Sequence, residues 1–173
     1  SKMEAGKLAL EEEDVILQQM IYDVVRLFHD AASAKNIVLE SVLDPDLPKA
    51  VRADAGRLRQ VLINFVSNAI KFTENGRVTI RLAHAHVPAA NGNRATLRFS
   101  VEDTGAGISP EAQARLFQPF EQVGASVEKR QGGTGLGLHI CSRIADAMNG
   151  QTGAESTVGK GSTFWFEASF ATA

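Results

Sequence analysis

Apolar positions along this chain switch between two spacings, and the switches divide it into elements. Leu17, Met20, Ile21, Val24, Phe28 and Ala31 recur at steps of three and four, which predicts an amphipathic helix with Asp14 as its cap. Residues 37–43 are β-rich and stop at the turn cluster Asp44-Pro45-Asp46-Leu47-Pro48. The helical spacing returns over residues 55–72 behind a second cap, Asp54, with Leu58, Leu62, Phe65, Ala69 and Phe72 as the expected buried face. Strict alternation marks strands at 78–82 and 95–101, separated by a hairpin loop at 84–94. Ser109-Pro110-Glu111 reads as a helix start, and residues 122–131 are polar and without a period, hence a long loop. Leu136, Ile140, Ile144 and Met148 mark a last helix closed by Gly150, and a Gly-Lys-Gly turn leads to a final strand at 163–170. Residues 1–12 have helical composition but are too few to stand alone, and read as the end of a helix begun upstream of a fragment. Strands in hairpins with helices that pack on them predict an α+β sandwich of two layers.

Composition narrows the function classes. The 173 residues are 44% apolar and 22% charged, as in a soluble globular domain. Eighteen Lys and Arg against twenty Asp and Glu leave a net charge of −2, without the basic stripe that a nucleic-acid partner requires. No apolar run approaches the ~18 residues of a membrane span. The single cysteine, Cys141, excludes an internal disulfide framework and suits a reducing, cytoplasmic setting.

Three clusters carry chemistry. Asp103-Thr104-Gly105-Ala106-Gly107-Ile108 ends a strand, and Asp103 shares the parity of Leu97, Phe99 and Val101, so its carboxylate points toward the apolar side. A charge placed there needs partners, and the glycines let the backbone turn and a flat ligand approach. Gly132-Gly133-Thr134-Gly135-Leu136-Gly137-Leu138 runs straight into a helix, where backbone N–H groups and a positive helix end suit phosphate oxygens. It fits neither the Walker A pattern nor the dinucleotide fingerprint. Asn64, Asn68 and Lys71 stand at i, i+4 and i+7, so they align on a polar face of their helix. One amide oxygen suffices for a nucleotide-bound Mg²⁺, which Asn68 can supply, and Lys71 can reach a terminal phosphate as a point charge.

Taken in order, LINFVSNAIKFT, VEDTGAGIS, LFQPFEQV and GGTGLGLHI resemble the catalytic ATP-binding domain of sensor histidine kinases, simple or hybrid, in the gyrase and heat-shock-chaperone (GHKL) superfamily. The resemblance covers residues 14–170 and implies the Bergerat fold, a mixed, mostly antiparallel sheet packed on helices. It also implies two parts: the end of a dimerisation-domain helix at 1–12 and the catalytic domain at 13–173. By this resemblance Asp103 accepts a hydrogen bond from the adenine amino group while Gly105, Gly107 and Ile108 admit the base. Asn68 ligates Mg²⁺, and Asn64 and Lys71 attend the phosphates. Gly133, Thr134, Gly135, Leu136, Gly137 and Leu138 hold the phosphates at the helix end, and Thr163 stands near the adenine. Residues 121–131 become the ATP lid, with Lys129 and Arg130 as phosphate contacts and Phe117 and Phe120 as its anchors.

The resemblance further implies ATP and Mg²⁺ as ligands and a phosphate-accepting His on a dimerisation domain of the same protein. It implies as well a response regulator or receiver domain downstream. Hydrolytic relatives carry Glu four residues before the metal-binding Asn; here that residue is Asn64, which cannot act as a general base. His29, His84, His86 and His139 do not match the accepting context. The expected function is phosphoryl donation; the rivals are a regulatory nucleotide-binding module and a water-using ATPase.

Overall fold

The computed structural model describes residues 3–4, 7–86, 92–117 and 134–173. Met3–Glu4 (β1) and Lys7–Leu8 (β2) pair as a short antiparallel ladder. Residues 3–4 and 7–8 are therefore extended, where the composition of 1–12 predicts helix. Glu13–Ile16 forms β3, and Leu17–Ala34 forms α1. Asp14 lies within β3 and does not cap α1: it pairs with Arg52 across the ladder at 2.9 Å, while the Leu17 N–H donates to the Lys49 carbonyl. Leu17, Met20, Ile21 and Val24 are buried as the spacing predicts, but the stripe continues through Ala32 and leaves Ala31 exposed.

Val38–Leu43 (β4), Ala50–Ala53 (β5), Arg77–His84 (β6), Arg94–Asp103 (β7), Gln151–Thr157 (β8) and Gly161–Thr172 (β9) complete the strands. Helices α2 (Ala55–Lys71), α3 (Pro110–Gln113) and α4 (Thr134–Ala147) lie between them. The main sheet has seven strands in the order β3-β5-β9-β7-β6-β4, with β8 also on β9. Among the described residues only β4 and β6 pair in parallel, so the sheet is mixed and mostly antiparallel. β3, β5 and β8 escape the alternation rule because they are short or polar.

One face of the sheet meets the helices. Ile80, Leu82, Leu97, Phe99, Val101 and Phe166 there are fully buried against Leu58, Leu62, Phe65 and Ile144. Each contributes roughly 1.5–3 kcal/mol by leaving water. Phe65 and Phe164 meet with ring centroids 5.7 Å apart, bridging α2 and β9. The opposite face carries ion pairs, among them Arg81–Glu102 at 3.0 Å and Arg98–Glu167 at 2.7 Å, and Arg98 lies 4.2 Å over the Trp165 ring. The architecture is the expected two-layer α/β sandwich. Among the described residues no helix is long and apolar enough to cross a membrane.

Candidate functional site

The alternation of β7 that buries Leu97, Phe99 and Val101 carries Asp103 to the same face, where it is 9% exposed. Its Oδ1 accepts the Gly105 N–H at 2.9 Å, and the carboxylate also accepts the Ser162 N–H. Burial raises the Asp103 pKa above the ordinary aspartate range, against the lowering pull of those two N–H groups. Two donors leave an ionised carboxylate with acceptor capacity to spare. In the β7–β9 ladder Asp103 stands opposite Ser162, and Thr163 stands opposite Glu102. Thr163 therefore occupies the other face of the sheet, and the residue beside Asp103 is Ser162. Cross-strand parity is the signal that finds it, once the register is known.

Beside Asp103 the backbone leaves a notch. A Cβ at Gly105 would lie 2.4 Å from the Phe72 carbonyl oxygen, 2.9 Å from Thr73 Oγ1 and 3.1 Å from Asp103 Oδ1. Thr73 is wholly buried, and its hydroxyl has no hydrogen-bond partner among the described residues, an expensive condition for a polar atom unless a ligand or water completes it. Gly107 has φ +81° and packs against the Thr157 carbonyl, a conformation and proximity that exclude a side chain. We expect Gly105→Ala to push the end of β7 from α2, costing about 1–3 kcal/mol of stability. ATP affinity should fall by about tenfold or more. Calorimetry showing undiminished affinity would contradict the close approach.

The loop between Asp103 and α3 is held from below by β8 and β9. The Ile108 N–H donates to Ser156 Oγ at 2.7 Å, and Ser156 Oγ lies 2.8 Å from Ser162 Oγ. Gln113 Nε2 donates to the carbonyls of Ile108 and Ser156 at 2.8 and 3.0 Å, and the Gly159 N–H donates to the Ala106 carbonyl at 2.7 Å. Ser156 and Gln113 are too common in type and too far apart in sequence to have drawn attention. The Ile108 side chain is half-buried against the core, and its backbone N–H is fixed by Ser156.

α2 joins this notch to the glycine-rich helix start. Asp54 Oδ1 caps α2 through the Arg57 N–H at 3.1 Å. Its polar face places Asn64 against α4: Nδ2 donates to the Gly137 carbonyl at 2.9 Å and lies 3.6 Å from Cys141 Sγ. Asn68 is only 6% exposed. Lys71 ends the helix with its Nζ 5.9 Å from the centroid of the Phe72 ring, and desolvation lowers its pKa. Phe72 is the C-cap and 37% exposed, so it leaves the buried face assigned to it: past the last helical turn its side chain no longer follows the apolar stripe.

Thr134, Gly135 and Leu136 open α4 as expected, with backbone N–H groups unsatisfied by the helix itself. Leu138 is core, 1% exposed, so its side chain is not a ligand. Asn149, not Gly150, takes the left-handed conformation after α4, at φ 56°. Phe117 packs by its ring on Phe164 at 6.5 Å, and its carbonyl accepts from His139 Nδ1 at 3.2 Å. Phe120, Lys129, Arg130 and Gly133, with the loop at 121–131, lie outside the described residues.

Residues 53–172 match the family described as histidine kinase-, DNA gyrase B-, and HSP90-like ATPase. The chain belongs to that family. The sensor protein GacS of Pseudomonas syringae pv. syringae is 44% identical over 165 residues, 95% of this chain but 18% of its own length. Among solved structures, full-length ShkA in complex with AMPPNP superposes with a TM-score of 0.79 at 41% identity, over 96% of this chain and 32% of that one. The nucleotide-free catalytic domain of histidine kinase ThkA gives 0.74 at 32% identity, over 92% of this chain and 98% of its own. ThkA has also been solved in complex with response regulator protein TrrA. The chain spans between 7% and 23% of the length of several curated relatives, GacS among them.

Within this histidine kinase-like ATPase domain the residues present fit a magnesium-bearing nucleotide. Asn68, only 6% exposed, carries an amide, and an amide oxygen is the hard donor that Mg²⁺ accepts. Among the described residues no three His, Cys, Asp or Glu side chains converge, so phosphate oxygens would supply most of the coordination. The four histidines keep away from that role. His84 Nε2 lies 3.3 Å from the Asp46 carbonyl, His139 holds Phe117, and His29 and His86 are exposed. Burial pushes the Cys141 thiol up to about 12, so it stays protonated and unreactive.

Proposed function

We propose that this domain binds Mg·ATP and donates the γ-phosphoryl group to a His on a dimerisation domain of the same protein. A response regulator or receiver domain then takes it. The reading is supported above all by Asp103, a buried acceptor beside an open notch, joined by one helix to a glycine-rich helix start. Asn64 and Phe72 are eight residues apart, so the phosphate end and the base end are about 12 Å apart along α2. That span suits an extended nucleoside triphosphate.

Each group has a task in this reading. Asp103 accepts the exocyclic amino N–H of adenine, and Gly105 and Gly107 keep side chains out of the base's path. The α4 N–H groups and the Lys71 ammonium hold phosphate oxygens, which positions the γ-phosphorus for attack. Asn68 would hold Mg²⁺, which neutralises charge on the phosphates when bound. A His imidazole nitrogen attacks the γ-phosphorus, the bond to the β–γ bridging oxygen breaks, and ADP leaves. Asn64 supplies no base for water, and its amide N–H₂ is committed to Gly137. Lys129 and Arg130 in the loop serve as further phosphate contacts, and residues 1–12 lead from the dimerisation domain.

The test supplies the missing half. Mixing the domain with an isolated dimerisation domain and γ-labelled ATP should give acid-labile phosphohistidine, with little phosphate released by the domain alone. Steady release of phosphate without the acceptor would favour the water-using ATPase. Nucleotide binding with neither product would favour a regulatory module.

A further inference from the structure

Behind the base-side notch stands a residue that no part of the proposed chemistry uses. Lys35 follows α1 and reaches across to the end of α2, where its Nζ donates to the Ile70 carbonyl at 2.6 Å and the Lys71 carbonyl at 3.0 Å. It also lies 3.3 Å from Glu74 Oε2, an exposed carboxylate. The Lys35 backbone joins in: its carbonyl accepts the Asn75 N–H at 3.1 Å, and Asn36 beside it takes a left-handed conformation at φ 57°. A cation on the last carbonyls of a helix both satisfies acceptors the helix cannot and opposes the negative end of its dipole.

The position of that helix end matters more than its stability. The next residues, Phe72 and Thr73, form two of the three oxygen contacts around Gly105, beside the Asp103 carboxylate. Gly76, three residues on, abuts Thr104, whose Oγ1 accepts the Arg77 N–H at 3.0 Å. The wall facing the base is therefore fastened at both ends, by Thr104 on one side and by Lys35 on the other. The Phe72 N–H donates to the Asn68 carbonyl at 3.1 Å and the Thr73 N–H to the Ile70 carbonyl at a long 3.4 Å. The Ile70 carbonyl that receives the weak bond is one of the two that Lys35 grips.

We infer that Lys35 is a positioning residue for nucleotide binding: by holding the C-terminal turn of α2 it sets the width of the notch beside Asp103. It rests on the nucleotide reading above and makes no contact with ligand. Because it acts on the base side, its loss should weaken ADP and ATP equally and leave the magnesium dependence of binding intact.

The experiment is calorimetric titration of Lys35→Met, Lys35→Arg and Glu74→Gln with ATP and ADP, with and without Mg²⁺, well below each variant's melting temperature. Lys35→Met should bind both nucleotides about tenfold more weakly, which is ~1.4 kcal/mol, with their affinity ratio unchanged. Lys35→Arg should recover most of the loss, since guanidinium can also donate to two carbonyls. Glu74→Gln should bind as the unaltered domain does, because the ion pair is exposed. A folded Lys35→Met that binds ATP within about twofold of the unaltered domain would overturn the inference, as would an effect on ATP but not ADP. If Lys35→Met does not fold, Lys35→Gln, whose side chain is uncharged and one bond too short to reach both carbonyls, replaces it under the same criteria. Should the unaltered domain bind no nucleotide, the nucleotide reading fails, and the hold of Lys35 on the end of α2 is tested by itself. In that case amide exchange at Phe72 and Thr73 must quicken in Lys35→Met, and unchanged exchange overturns the positioning role.

Discussion

Asp103→Asn is expected to weaken ATP binding at least ~100-fold, about 2.7 kcal/mol. The ionised carboxylate only accepts, and it already takes N–H groups from Gly105 and Ser162 while keeping room for a third. An amide in its place has one acceptor oxygen and turns an N–H₂ toward the donors that remain. The loss should not come from unfolding. Burial has raised the pKa of Asp103, so the folded domain holds the charged form at a cost, and the neutral amide removes that cost. Without nucleotide the variant should melt no lower than the parent by more than a few degrees.

The same shift fixes the direction of a pH effect. Because the folded pKa is raised, the Asp103 contribution to stability is fully present below the ordinary aspartate pKa and is lost as pH rises through the folded value. Binding runs the other way, since only the ionised form can accept from adenine without giving up a site. Adenosine affinity should therefore begin to fall on acidification at a pH above the ordinary aspartate range, and Asp103→Asn should lack that fall. Calorimetry with adenosine, which has no phosphates to titrate, reads both outcomes. Equal affinity in the two proteins at neutral pH would remove Asp103 from the base site.

Asn68→Ala should separate metal from nucleotide. Affinity for ATP in the presence of Mg²⁺ should fall about 30- to 100-fold, the scale at which metal sites respond to altered ligation. Affinity for ADP without metal should stay within about threefold. Asn68 is buried on α2, so truncation also leaves a small void, and a melting curve must accompany the titration. Asn68→Asp keeps an oxygen at the same place and should retain the Mg²⁺ effect that the alanine variant loses. Parallel losses with and without metal would make Asn68 a structural residue.

Much of this domain is legible in the residues themselves. The caps Asp54 and Ser109, the stripe of α2 and the alternation of β6 and β7 are local, set by neighbours within a turn or a strand. Local physics suffices to place them. The burial of Asp103 belongs to the same class, because parity along β7 is a property of one strand. The alignment of Asn64, Asn68 and Lys71 on one face likewise needs nothing beyond helix geometry.

Partners across the fold had to wait for the tertiary structure. That Ser162 and not Thr163 shares the face of Asp103 depends on the β7–β9 register, fixed by the packing of two strands nearly sixty residues apart. Asp14 became a strand residue because β5 was there to pair with it. Phe72 turned away from the core because the helix ended one residue earlier, and Asn64 found its partner in Gly137, on another helix. Lys35 gave no signal in sequence: a lysine after a helix is ordinary until α2 is seen ending beneath it. Short-range periodicity is written in the chain because it costs only local conformational choice. Register and long-range polar pairing are settled only when the core closes and each buried donor must find its acceptor.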